Sequence, residues 1–173
     1  MALLKCFKEK FPDKLSFLEQ TPLEACGQSH PSPPSVLHSF SRYLPKPFPM
    51  KKIITSPNAP APIGPYSHGV MHGNMLFISG QVGKHPHTGE IPHSIEHQAE
   101  QVMNNLQGIL NSADMDFTNV VKTTIFLKNM NDFQTVNGVY GSRFESEHPA
   151  RETVEVSRLP LDVLVEISMI AIK

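Results

Sequence analysis

The stretch PARETVEVSRLPLDVLVEISMIAIK, residues 149–173, decides how the rest of the chain is read. Its second half, Val163 to Ile172, is apolar at nearly every position, including Val165, Ile167, Met169 and Ile170, and so reads as a strand needing cover on both faces. Its first half, Arg151 to Arg158, also has strand composition, and Leu159 to Asp162, with Pro160, supplies a turn. The two halves therefore predict a terminal hairpin. On an idealised tight turn, Arg151, Thr153 and Glu155 share one face and Glu166 stands opposite Glu155 on it, roughly 13 Å from Arg151.

Arginine presents a planar fork of donors that fits a carboxylate bidentately, and a carboxylate across a small pocket from it can activate water. Glu166 lies within an apolar strand, where a carboxylate is rare without a partner or a task. The pair suits a small 2-keto, 2-imino or 2-amino acid. A three- or four-carbon acid does not bridge the idealised span. Either the turn shifts the register, or the Arg and Glu of one pocket come from different subunits.

Upstream, Lys52 to Thr55 predicts a short strand, and the run from Asn58 to Pro65, with Pro60, Pro62, Pro65 and Gly64, forces an extended loop ending at Tyr66. Tyr66 to Met71 and Met75 to Ser79 flank a hairpin turn at His72, Gly73 and Asn74. Ser94 is a candidate N-cap for a helix whose stripe is Ile95, Ala99, Val102, Met103, Leu106, Ile109 and Leu110, ending over Asn111 to Asp116. Val120 to Leu127 follows as a β-branched strand. Asn131 or Asp132 would cap a second helix with Phe133, Val136, Tyr140 and Phe144 on its apolar stripe. The order β, β, β, α, β, α, β, β predicts an α+β domain with a six-stranded sheet covered by two helices on one face. The other face calls for self-association.

Residues 1–49 differ from this pattern. They hold eight of the sixteen prolines and both cysteines, Cys6 and Cys26, without sustained periodicity, so they read as a low-structure or mis-started leader, with organelle targeting the minor alternative. Residues 50–173 form the predicted domain, with nine basic and twelve acidic residues. That balance offers no basic face for nucleic acid, and no apolar run approaches the roughly 20 residues that span a bilayer. Two lone cysteines outside the domain suit a reducing compartment, the cytoplasm. His85, His87, His93 and His97 have ligand-like spacing but sit among loop prolines without a Cys or carboxylate set, so no metal is expected.

Pro149, Ala150, Arg151, Val154, Ser157, Leu159, Val165, Glu166 and Ile167 together resemble the signature of the RidA family of reactive enamine/imine deaminases. Further matches are Ile63 to Tyr66, Ser79 to Gln81, Val121 to Thr124, Asn131 to Phe133, and Val136, Asn137 and Tyr140. The likeness spans about residues 51–173 in order, which makes it more specific than any single motif. It implies a chorismate-mutase-like fold, a homotrimer with pockets between neighbours, and no cofactor. The implied reaction is hydrolysis of 2-aminoacrylate/2-iminopropanoate and 2-iminobutanoate, released by PLP-dependent dehydratases, to 2-keto acids and ammonia. By the same resemblance Arg151 holds the substrate carboxylate, Glu166 positions water, Tyr66, Ser79 and Asn137 line the pocket, and Gly80 brings backbone close to the ligand. Thr153 stands where relatives often have cysteine, leaving a backbone donor but no thiol, and Glu152 replaces a usually small residue. Two other readings compete: a ribonuclease that inhibits translation, and a non-catalytic 2-keto acid sensor or chaperone.

Overall fold

A computed structural model describes residues 51–173, so the leader expected over residues 1–49 lies outside the described residues. In chain order the elements are β1 (Lys52–Ile54), β2 (Gly69–His72), β3 (Met75–Val82), α1 (Ile95–Asn111), β4 (Val120–Leu127), α2 (Phe133–Gly141), β5 (Ala150–Glu155) and β6 (Val165–Ile172). The strands form one six-stranded sheet in the order β1-β2-β3-β6-β4-β5. Every neighbouring pair is antiparallel except β4 with β5, so the sheet is mixed, and the element order is the one predicted.

The expected β2–β3 hairpin forms around Gly73 and Asn74, with His72 paired to Met75. Gly73 has φ 64°, the region a type II′ turn requires at its first central residue and that glycine enters without steric cost. Ser94 caps α1: its side chain accepts the N–H of His97 at 3.3 Å, an interaction worth about 1 kcal/mol. The predicted stripe of α1 is buried from Ala99 to Leu110 against Val165, Ile167, Met169 and Ala171 of β6 and Ile125 and Leu127 of β4. The cap of α2 departs from expectation. Asp132 makes no side-chain cap bond; instead Asn129 accepts the N–H of Asn131 at the start of a 3-10 turn, Met130–Asp132, that leads into the helix.

The terminal hairpin is overturned. β6 pairs with β3 on one side and β4 on the other, while β5 lies beyond β4 as the sheet edge. Composition explains the choice. β6, apolar on both faces, gains most from the centre, whereas β5, carrying Arg151, Glu152 and Glu155, is suited to an edge where unpaired backbone must resist further pairing. The helical crossover α2 returns the chain parallel to β4, as a β-α-β connection requires. Between β5 and β6 the chain passes through a 3-10 turn, Pro160–Asp162, in which Leu161 (φ 59°) and Asp162 (φ 54°) are both left-handed, at about 1–2 kcal/mol each. Arg158 holds the turn with two hydrogen bonds to Asp162, 2.7 and 3.0 Å.

One sheet face carries the helices. The other is left with Ile53, Phe77, Val154 and Ile172 exposed, around the partly covered Phe126 and Ile170. Among the described residues no helix is long and apolar enough to cross a membrane.

Candidate active site

The new strand order moves Arg151 and Glu166 apart in a way the hairpin did not allow. Glu166 pairs with Phe126 on β4 and Val82 on β3, and it alternates with the buried Val165 and Ile167, so its side chain leaves the open face. Arg151 pairs with the fully buried Thr123, so its side chain lies on the helix face. Within one protomer the two groups stand on opposite faces of the sheet. The expectation that they share a face is corrected because the register runs through β4 rather than across a turn.

Around Glu166 the structure gathers one set of predicted residues. A cleft of about 260 Å³ is lined by Tyr66, Ser79, Gly80 and Glu166, with Ile63 and Leu161 among its apolar walls. Strand β3 is irregular at this point: Ile78 pairs with Met169 and Gln81 with Ile167, so Ser79 and Gly80 sit in a bulge. Bulges re-aim backbone and cluster beside active sites. A Cβ on Gly80 would lie 1.9 Å from Glu166 Oε1, so glycine is what lets the carboxylate lie against this backbone. Burial pushes the Glu166 carboxyl above its ordinary range. The Ser79 hydroxyl donates to the Ser67 carbonyl at 2.7 Å, so toward a ligand it offers lone pairs.

The helix face holds the other set. Arg151 donates from Nη1 to Asn137 Oδ1 at 2.8 Å, and its guanidinium carbon stands 4.9 Å from the Tyr140 ring centroid and 5.7 Å from that of Phe133. Phe133, Asn137 and Tyr140 follow i, i+4, i+7 spacing on α2, which makes one helix face a cradle for the cation. Tyr140 is itself fixed by donating to Thr123 Oγ1 at 3.3 Å, and burial raises its phenol above the ordinary range. Thr153, two residues along β5, has a buried hydroxyl with no hydrogen-bond partner among the described residues. Glu152, on the opposite face, is paired with Lys122 and Thr124, and those hydrogen bonds, Lys122 first, hold its carboxyl below the usual range.

Four residues given no role in the site by the sequence contribute to it. Phe133 and Tyr140 were expected only as core, although an aromatic stripe beside a lone arginine is a readable sign of cation–π support. His68, which is buried, accepts the Ser56 N–H at Nδ1 (3.0 Å), so its proton sits on Nε2 and is donated to the Pro60 carbonyl (2.9 Å). It therefore straps the proline-rich loop that delivers Pro60, Ile63 and Tyr66 to the cleft. Gln81, also buried, donates to the carbonyls of Ser79 and Gly80 and shapes the bulge. Of the histidines weighed as ligands, His85 uses its Nδ1 to accept the N–H groups of His87 and Thr88 in a tight loop.

The comparisons with known proteins cover the same part of the chain. The family described as Endoribonuclease L-PSP matches residues 56–173. A 2-iminobutanoate/2-iminopropanoate deaminase of Escherichia coli K12 is 48% identical over 128 residues, covering 72% of this chain and 99% of the relative. A RutC family protein of Pyrococcus horikoshii is 50% identical over 125 residues, with the same coverage. Among solved structures, E. coli TdcF with bound serine matches at TM-score 0.69 and 42% identity, over 70% of this chain and 98% of that one. RidA from an Antarctic Psychrobacter matches at 0.69 and 37%, over 70% and 99%. A family model matched over residues 56–173 and relatives about half identical over nearly their whole length show that the chain belongs to the RidA family, the group described as Endoribonuclease L-PSP.

Proposed function

We propose that this chain is a cofactor-independent 2-iminobutanoate/2-iminopropanoate deaminase that works as a closed homotrimer. The observation that carries the reading is the division of the site: Arg151 with its cradle on one sheet face, Glu166 with Tyr66, Ser79 and Gly80 on the other. Such half-sites meet when the edge strand of one protomer docks near the cleft of the next, and a ring of identical contacts closes the set. The apolar residues on the open sheet face, Phe77 and Val154 among them, supply a reason to associate.

In this reading the guanidinium of Arg151 takes the substrate carboxylate through the donors that Asn137 leaves free. An enamine that has gained a proton at carbon is an iminium, already electrophilic. Water adds to its carbon while Glu166 accepts the water's proton and passes it to the amino group. Ammonia then departs as the C–N bond breaks, Glu166 takes the remaining hydroxyl proton as the carbonyl of the 2-keto acid forms, and that proton leaves with ammonia as ammonium. The raised carboxyl of Glu166 suits a group that must take a proton and give it back. PLP-dependent dehydratases in the cytoplasm are the proposed source of the substrate. The ribonuclease alternative gains nothing from the cleft, whose charged lining residues are Lys84 and Glu166.

The direct test generates 2-iminobutanoate with a threonine dehydratase and follows its decay with and without the protein. Faster decay is expected, and an unchanged rate rejects the activity. Two variants probe the scaffold. Gly80→Ala is expected to remain folded, because the Glu166 side chain can swing aside, but to lose activity on the order of 100-fold as the carboxylate leaves its seat. Wild-type turnover would mean that the close approach is unimportant. His68→Leu strands the Ser56 N–H and the Pro60 carbonyl at about 1–3 kcal/mol each, so a lower Tm and a raised KM are expected. His68→Gln, which can still accept and donate, is expected to recover the KM; a glutamine variant no better than leucine would show that the strap does not position the loop.

A further inference from the structure

We infer that Leu161 and Ile63 form an apolar lip that selects imino acids by their side chain, favouring extended aliphatic groups over the three-carbon substrate. The inference rests on the cleft being the imine site and goes on to name the class of substrate it takes. Leu161 is an uncommon residue in an uncommon place. Its backbone is left-handed (φ 59°, ψ 16°), a region that a branched apolar side chain seldom enters, and the residue that follows is left-handed too. The turn is braced from both ends: Leu159 and Val163 are buried in the protein, and the Arg158 fork grips Asp162. Backbone held this firmly in a sparse region commonly serves a site. Here its result is to present a leucine side chain 49% exposed at the rim of the cleft.

Ile63 lines the same cleft at 63% exposure, delivered by the loop that His68 straps down. Pro60 and Pro160 stiffen the two walls behind these residues. Glu166 marks where the reacting carbon must lie, and the carboxylate of the substrate is drawn toward an arginine outside this wall. The remaining substituent, the side chain, is left to the apolar walls. In one protomer, before a neighbour's edge strand closes it, the cleft measures about 260 Å³, more than a three-carbon acid fills. Water in that apolar space is well displaced by methylene groups, and at a rim half open to solvent the three carbons added by a leucine-type side chain are worth together about tenfold in selectivity, well short of a closed pocket.

The experiment compares kcat/KM for 2-iminopropanoate and 2-imino-4-methylpentanoate, generated in situ from alanine and leucine by an L-amino-acid oxidase. For the wild type the longer imine is expected to be preferred by about tenfold. Leu161→Ser is expected to lower that ratio about tenfold. Leu161→Gly is expected to lower it equally while the Tm holds or rises, since glycine occupies the left-handed turn freely, which guards against misreading a folding defect. If the three-carbon imine is hydrolysed but the ratio is the same in all three proteins, the lip is rejected and the deaminase reading stands. If the wild type accelerates neither imine, both fall. A serine variant that lowers the assembled mass in sedimentation and leaves the ratio unchanged overturns the lip by making Leu161 a contact between copies.

Discussion

Arg151→Ala and Glu166→Gln, each inactive alone, are expected to recover about a quarter of wild-type activity when unfolded together and refolded as a mixture. In the proposed ring, with one site per interface, a working site needs the intact arginine of one protomer beside the intact glutamate of its neighbour, which random assembly of equal amounts provides at roughly one interface in four. Alone, Arg151→Ala removes the carboxylate clamp, and a loss of at least about 1000-fold in kcat/KM is expected from a site that must hold a small anion in one pose. The contrast between those two measurements makes the effect large. It follows from Arg151 pairing with Thr123 on the helix face while Glu166 pairs with Phe126 on the other. A mixture no more active than its components would place both groups in one protomer's site, or neither in any.

The second large effect concerns pH. Burial raises the Glu166 carboxyl, so the side chain keeps its proton at pH values where an exposed glutamate has lost it. Taking the proton of the attacking water requires the ionised form. The rate is therefore expected to be full above the raised value and to fall as the pH drops through it, giving an acid limb displaced upward from the ordinary glutamate range. Glu166→Gln is expected to lose about 100- to 10,000-fold in kcat and to flatten that limb. A limb that survives the substitution would assign the titration to another group. Binding of 2-oxobutanoate by the same variant, measured by calorimetry, would show that the pocket persists.

The first helix was legible because a long 3.6-residue period and a serine cap leave few alternatives, and the second by the shorter stripe of Phe133, Val136 and Tyr140, although its cap was misread and Phe144 falls beyond its end. The α1 stripe from Ala99 to Leu110 is buried as read. The pairing of β5 with β6 was not legible from their adjacency. Two strand-like runs separated by a proline turn imitate a hairpin, and only the contrast between the charged β5 and the apolar β6 could have sent one to the edge and the other to the middle. Of the candidate residues, Tyr66, Ser79, Gly80 and Glu166 meet in one cleft and Arg151 meets Asn137, but the shared face read from the hairpin was wrong, since one change of neighbour reverses which face Glu166 takes. His68 was invisible for a different reason: its partners, Ser56 and Pro60, are near in sequence, but burial alone makes their bonds count, and burial was not written there.

The position of β6 has a consequence for how this molecule is made. The last strand along the chain is a central one, wedged between β3 and β4, so neither of those can complete its pairing before residues 165–172 are available. On the ribosome the earlier strands wait with naked edges until residues 165–172 have emerged, and a nascent chain halted before them would expose the unpaired flanks of β3 and β4 to aggregation rather than form a smaller version of the sheet.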